Sequence, residues 1–421
     1  RDQPRSRGLG DVYKRQIVDG LCVSNFVGKT AFAAVNLIMP VPMLVGTVGF
    51  MLGTGGSAIV GITLGEGDKA RADRYFSLFM STALIAGIVL SVVGMLLLRP
   101  VALMLGAEGE MLDYALRYGR VLMLSLPTFI LQNMFQSFFV TAEKPHLGFY
   151  FTVGAGCTNM VLDVLLVGIL HWSVEGAAIA TMLSQVVGGL LPVFYFLNKR
   201  STSSIHLGRA QWNVGVIRSA CINGSSELMS NISASVVGIL YNIRLMDLLG
   251  EPGVAAHSVM MYVDFVFVAA FLGFSMGSAP IVSYHYGAEN YDELKNIFRR
   301  SGVIIAATSV AMVAASELLS RPLSAAFVGY SPDLLELTTH GFRIFALCYL
   351  FCGLNIYASA FFTALCNGAL SALIAFTRTL LLRGGLVLVM PVFFGVDGVW
   401  WSVAAAELLG VVLSVVLLVL M

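Results

Sequence analysis

Eleven stretches of this chain are apolar over roughly the length that crosses a bilayer, about 20 residues as a helix, and no other feature constrains the fold as much. They lie at 30–44, 75–98, 121–142, 148–170, 174–197, 214–240, 254–282, 301–320, 342–366, 369–393 and 396–421. In hydrocarbon every backbone N–H and C=O must find a partner within its own segment, so repeated runs of this length predict spanning helices. Several exceed one crossing and predict tilt or extension beyond the bilayer. Of 421 residues, 57% are hydrophobic and only 12% charged, with a mean hydropathy of +0.85, more apolar surface than one globular core can cover. The expected class is an all-α polytopic membrane protein.

Charge and cysteine usage exclude other classes. The formal net charge is +1, and positions 1–16 hold five of the 25 Lys and Arg, leaving no basic face for nucleic acid. The cysteines Cys22, Cys157, Cys221, Cys348, Cys352 and Cys366 sit in or beside apolar runs without the spacing of a disulfide framework, and read as small buried hydrophobes. There is no HExxH, no Walker-type glycine loop and no His or Cys pair at metal spacing beyond Cys348 and Cys352. No cofactor is expected, and ATP-driven transport would need another chain. The connections at 65–74, 143–146, 199–212 and 291–300 carry ten cations, whereas the alternate ones carry Lys29, Arg99, Arg117, Arg120, Arg244, Arg321 and Arg343. The richer set faces the cytoplasm by the positive-inside rule, which places both termini inside.

The sequence also repeats itself. When it is shifted by 222 against itself, GKTAFAAVNLIM at 28–39 lies over GEPGVAAHSVMM at 250–261, and GGSAIVGITLGEGD at 55–68 over GSAPIVSYHYGAEN at 277–290. In the same register Asn133 meets Asn355, FVTA at 139–142 meets FFTA at 361–364, and VEGAA at 174–178 meets VDGVW at 396–400. This predicts two six-helix bundles related by a pseudo-two-fold axis along the membrane normal. The predicted divisions are 17–198 for the first bundle, a cytoplasmic linker at 199–212, and 213–421 for the second. The seventh span is expected as one helix from Asn213 to Asp247, so its partner should begin before the chain does. About 25 residues of the first span are therefore expected to be missing. The head RDQPRSRGLGDVYKRQ at 1–16 has no repeat partner, resembles a translated sequencing-adaptor end, and reads as a non-native leader.

Two duplicated halves, GTGGSAIVGITLGEGD closing the second span, its echo GSAPIVSYHYGAEN closing the eighth, and IVDGLCVSNFVGKTAFAAVNL at the front resemble the multidrug and toxic compound extrusion (MATE) family. The likeness runs from Ile17 to Met421 and is strongest to the bacterial DNA-damage-inducible and small-drug-exporter branch. It implies twelve helices, a central cleft, membrane lipid as a partner, and export of small amphipathic or cationic drugs in exchange for H+ or Na+. A monomer in the bacterial cytoplasmic membrane is expected. A flippase of lipid-linked precursors on a related fold is the alternative, and a membrane enzyme or receptor a more distant one.

An ionised side chain at the bilayer centre costs about 2.5–3.5 kcal/mol on insertion scales, so acids within spans point to function. Asp19, Asp163, Glu227 and Asp264 qualify, whereas Asp397 reads as a turn residue at a helix mouth. Asn159 and Asp163 are four apart and share a helix face. The resemblance implies a cation-coupling site of Asp19, Asn159, Asp163 and Thr181, whose oxygens suit Na+ and whose paired carboxylates suit H+. At the 222 offset these four fall on Tyr241, Leu381, Gly385 and Val403, so the cluster is not duplicated with the scaffold. Asn223, Glu227 and Asn231 share a predicted stripe, and Glu227 resembles the family's seventh-span acid, which engages cations or cationic substrates. Asp264, Gln132, Asn133, Gln136, Asn355 and Tyr357 complete the expected substrate cleft, and Gly49, Gly53, Gly273 and Gly277 read as close helix packing.

Overall fold

The computed structural model describes residue 27 and residues 29–198, 201–329 and 331–419. The leader, the first span, Asp19 and Cys22 lie outside the described residues. Those described are helical, with no strand among them, and divide by contact into a unit ending at Gly224 and a unit beginning at Ser225.

The first unit contains α1 (Lys29–Ile38), α2 (Pro40–Gly65), α3 (Lys69–Met104), α4 (Gly109–Thr141), α5 (Pro145–Asp163), α6 (Ser173–Leu197) and the short α7 (Val214–Asn223). Pro40 and Pro42 lack the N–H that would carry α1 straight into α2. Helix α5 continues into a π-helical turn, Val164–Ile169. Helix α3 shows why the unit needs a bilayer: Phe76, Phe79, Ala83, Gly87 and Ser91 form a buried stripe, while Ile85, Ile88, Val89, Val92 and Leu96 on the other side are exposed. An outer face of large apolar residues is solvated by lipid rather than water. Helix α2 approaches α4 through glycine: a Cβ on Gly49 would collide with the carbonyl of Ile130. Phe76, Phe135, Phe138, Phe139 and Phe196 pack the end of the unit.

Residues 201–208 of the segment expected as a cytoplasmic linker pack onto this unit. His206 N donates to Asp73 Oδ1 at 2.8 Å, Gly208 N to Ser77 Oγ at 2.9 Å and Leu207 N to Phe196 O at 2.9 Å, while Ile205 and Leu207 are buried. Helix α7 packs on α2, where a Cβ on Gly224 would strike the carbonyl of Met51. The helix expected to run unbroken from Asn213 to Asp247 therefore stops at Asn223. Gly224 is the interruption, and α7 belongs with the first unit rather than opening the second.

The second unit contains α8 (Ser225–Leu249), α9 (Glu251–Gly287), α10 (Tyr291–Val328), α11 (Pro332–Ala346), α12 (Tyr349–Ala364), α13 (Gly368–Phe376), a π-helical turn at Thr377–Arg383, and α14 (Gly384–Val419). Helices α11 and α12 meet at a 49° bend and together are long and apolar enough for one span. The stretch Gly368–Leu418 is 51 residues long, about 75 Å as one helix and more than twice the hydrocarbon depth. Gly395 divides it, with φ 58° and ψ −138°. With that division and the bent pair, eleven spans lie among the described residues, as the eleven apolar runs predict.

The duplication is visible in the elements themselves. Asp68 caps α3 by accepting from Arg71 N at 2.9 Å, and Asn290, its counterpart at the 222 offset, caps α10 by accepting from Glu293 N at 3.2 Å. Gly67 and Glu289 before them both have positive φ, as do Ser173 and Gly395. Arg117 on α4 pairs with Glu175 on α6 at 3.4 Å, and His340 on α11 with Asp397 on α14 at 2.9 Å. The register is not gapless, however. Glu108 and Ser331, the residues preceding α4 and α11, are 223 apart, as are the positive-φ turn residues Glu143 and Cys366. The offset slips by one through this hairpin and is back at 222 by Ser173 and Gly395.

Candidate functional site

In the first unit, α5 and α6 pack side by side and bring together three of the four predicted coupling residues. Asp163, at the end of α5, is fully buried at 0% exposure, and Asn159 one turn before it is 2% exposed. Asn159 Nδ2 donates to Thr181 Oγ1 on α6 at 3.5 Å. Asp19 lies outside the described residues. Gln185, one turn beyond Thr181, presents a buried Oε1 that accepts no hydrogen bond. It escapes a search for charges, and its signal is the four-residue spacing from Thr181 on one helix face. A carboxylate, an amide and a hydroxyl brought together here are oxygen-bearing groups of the kind that can take a proton or a hard monovalent cation.

The other predicted residues fall in both units. Glu227 does not lie deep within a helix: it is in the first turn of α8, where the helix dipole favours a carboxylate. Asn223 ends α7 and so does not share its stripe, while Asn231 Nδ2 donates back to Glu227 O at 2.8 Å. Asn133 Nδ2 donates to Gly46 O at 3.2 Å and ties α4 to α2. Gln136 is half-buried on the same helix. Tyr357 is buried among Phe274, Phe298 and Phe361 inside the second unit.

The slip in register alters which asparagine answers which residue. Gln132 packs against Gly188 on α6, and Asn355 packs against Gly410 on α14. Gly188 and Gly410 are 222 apart, whereas Gln132 and Asn355 are 223 apart. The counterpart of Asn355 is therefore Gln132, not Asn133, because one residue of slip turns a helix by about 100°.

Asn355 leads to a cluster that reading the spans had missed. Glu407 on α14 is completely buried. Its Oε1 receives Arg383 Nη2 at 2.5 Å and pairs with Arg378 Nε at 3.5 Å, while Asn355 Nδ2 donates to Oε2 at 2.7 Å. Ser414 Oγ donates to Asn355 Oδ1 at 3.0 Å. Asp264 on α9, 7% exposed, lies within electrostatic reach of Arg383, Arg378 and Glu407 and beside Tyr349. In an α-helix, residues five apart diverge by about 140°. The i→i+5 pattern of the π turn brings Arg378 and Arg383 onto one face. The two arginines lie in one long apolar run and Glu407 in the next, and an average over either run hides them.

The MatE family model matches residues 12–165 and 228–387. A multidrug export protein MepA of Staphylococcus haemolyticus is 22% identical over 93% of this chain and 86% of its own length; one from Staphylococcus saprophyticus is 24% identical over 91% and 84%. A solved structure described as the outward-facing conformation of a multidrug resistance MATE family transporter of the MOP superfamily overlays with a TM-score of 0.91 at 22% identity, covering 98% of this chain and 92% of that one. A MOP superfamily transporter from Pyrococcus furiosus, described as having a binding pocket of reverse polarity, overlays with a TM-score of 0.88 at 22% identity, over 99% and 94%. With three quarters of its length matched by the family model and the family's fold in both units, this chain belongs to the MATE family of membrane transporters.

Proposed function

We propose that the chain is a secondary active multidrug exporter of the bacterial cytoplasmic membrane, exchanging H+ or Na+ for small amphipathic or cationic drugs, with both termini in the cytoplasm. It is a transporter, not an enzyme. The relatives named as multidrug export proteins support the activity. The observation that carries the coupling site is the burial of Asp163 beside the Asn159–Thr181 pair, inside a unit that spans lipid. An acid held there is costly when ionised and neutral once it takes up a proton, so its occupancy sets the energy of the surrounding helices. A sodium ion held by the same oxygens would neutralise it equally. Alternating access follows if the empty, charged site and the filled, neutral site favour different arrangements of α5 and α6. Glu227, near the positive end of α8, supplies negative charge for a cationic drug.

The test is efflux of an ethidium-like dye from vesicles holding the full-length transporter, under a sodium gradient alone and a proton gradient alone. Asp163→Asn should lower gradient-driven efflux at least tenfold. Undiminished efflux would remove Asp163 from coupling.

A further inference from the structure

We infer that the Arg378–Arg383 pair in the second unit is a binding site for the anionic group, such as a carboxylate, of a small amphipathic substrate. Four observations carry this. First, two guanidinium groups share one carboxylate oxygen, Glu407 Oε1, so the triad has one cation in excess. Asp264, on a different helix, α9, lies within electrostatic reach of both arginines. Second, the cations are the accessible part of the cluster: the Glu407 side chain is 0% exposed, whereas Arg378 and Arg383 keep 17% and 18% of their side-chain surface. Third, Arg383 Nε is buried without a hydrogen-bond partner and Arg378 Nε has only its long 3.5 Å ion pair with Glu407 Oε1, so the planar donor edges suited to a carboxylate are not saturated. Fourth, the fold does not require these charges. In the first unit the matching positions of α5 are uncharged and apolar at offsets of both 222 and 223, with Gly156 or Ala155 for Arg378 and Val161 or Met160 for Arg383.

Depth in the membrane narrows the ligand. Arg378 and Arg383 lie near the middle of the span 368–394, and Glu407 near the middle of the next, so the site is well inside the hydrocarbon layer. A lipid phosphate sits at the interface, about 15 Å from the bilayer centre. A mobile amphiphile bearing its own anion can reach that depth when the arginines compensate its charge. The ligand would compete with Asp264 for the excess cation, leaving Glu407 in place behind the arginines. This adds an anionic or zwitterionic substrate class to the cationic one, and it rests on the transporter reading only for what the bound anion is for.

The experiment is equilibrium binding of fluorescein, an amphipathic dye with a carboxylate, to the purified full chain in nanodiscs. Empty nanodiscs are subtracted, and no ion gradient is applied. Because no gradient is involved, the result is independent of whether Asp163→Asn abolishes efflux. Arg378→Gln and Arg383→Gln should each weaken binding at least tenfold, and Asp264→Asn, which removes the competing anion, should tighten it threefold or more. Absence of saturable binding to the parent chain, or equal binding to both arginine variants and the parent, would overturn the proposal. A loss of affinity in Asp264→Asn would overturn it too, since a structural ionic lock suffers whichever partner is removed. Should an arginine variant fail to elute as a single species, the sign of the Asp264→Asn effect decides alone.

Discussion

The hairpin of α5 and α6 and its counterpart, α13 with the π turn and α14, descend from one duplicated sequence and carry opposite chemistry. The first buries an acid, Asp163, beside an amide and a hydroxyl; the second sets two arginines on one buried glutamate. At the restored 222 offset, Gln185 faces Glu407 across the repeat, a change of amide to carboxylate at one position. The scaffold around them is held by features present in both copies: the Asp68 and Asn290 caps, the Arg117–Glu175 and His340–Asp397 ties, and the Ser173 and Gly395 turns. Shape in this architecture is thus set by apolar register and turns, and polarity by a handful of positions that the shape tolerates.

The sharpest way to break the comparison is at the two corresponding polar positions. Glu407→Gln deprives two largely buried guanidinium groups of their shared carboxylate and should destabilise the second unit by about 3–5 kcal/mol, the cost of breaking a buried ion pair. Gln185→Ala, in the first unit, should cost far less, because no ion pair is broken. Thermal unfolding in detergent measures both, and adding Arg378→Gln to Glu407→Gln should restore part of the loss. Equal, small effects at 185 and 407 would mean that the cluster is solvated rather than buried.

A second test concerns packing. Gly49 on α2 lies against Ile130 on α4, and Phe271, the counterpart of Gly49 at the 222 offset, lies against Gly353, the counterpart of Ile130 at 223. The two copies have exchanged small and large across the same helix pair. A Cβ on Gly353 would meet the Phe271 ring, so Gly353→Ala should cost about 1–3 kcal/mol by overpacking. Phe271→Leu should relieve part of that penalty, and the absence of coupling in the double-mutant cycle would refute the pairing. The smallest effects belong to the shared caps. Asp68→Ala and Asn290→Ala should each cost about 1 kcal/mol, and values that differ widely would show that the two hairpins are not held in the same way.

These features differ in how openly the sequence displays them. The spans follow from run length alone, and the duplication from strings such as GGSAIVGITLGEGD and GSAPIVSYHYGAEN. Asn159 and Asp163 were readable because their four-residue spacing holds on any α-helix. The Arg378–Arg383–Glu407 cluster was not, because it depends on a local departure from α geometry and on a partner in the next span. Asn355 was matched to Asn133 by identity of type, when the slip in register pairs it with Gln132; only the packing on Gly188 and Gly410 reveals this. The stop at Gly224 escaped notice because apolar residues resume on either side. What requires glycine there is the approach of Met51, a contact distant in sequence.

The π turn at Thr377–Arg383 has an evolutionary corollary. A π turn holds one residue more than the α-helical path needs, so deleting a residue there would regularise the helix while leaving its hydrogen bonds intact. The deletion would swing Arg378 and Arg383 onto different faces and dissolve the cluster in one step. In a span where almost any other insertion or deletion would twist lipid-facing residues inward, this turn is the place where a lineage could gain or lose an anion site by length rather than by substitution.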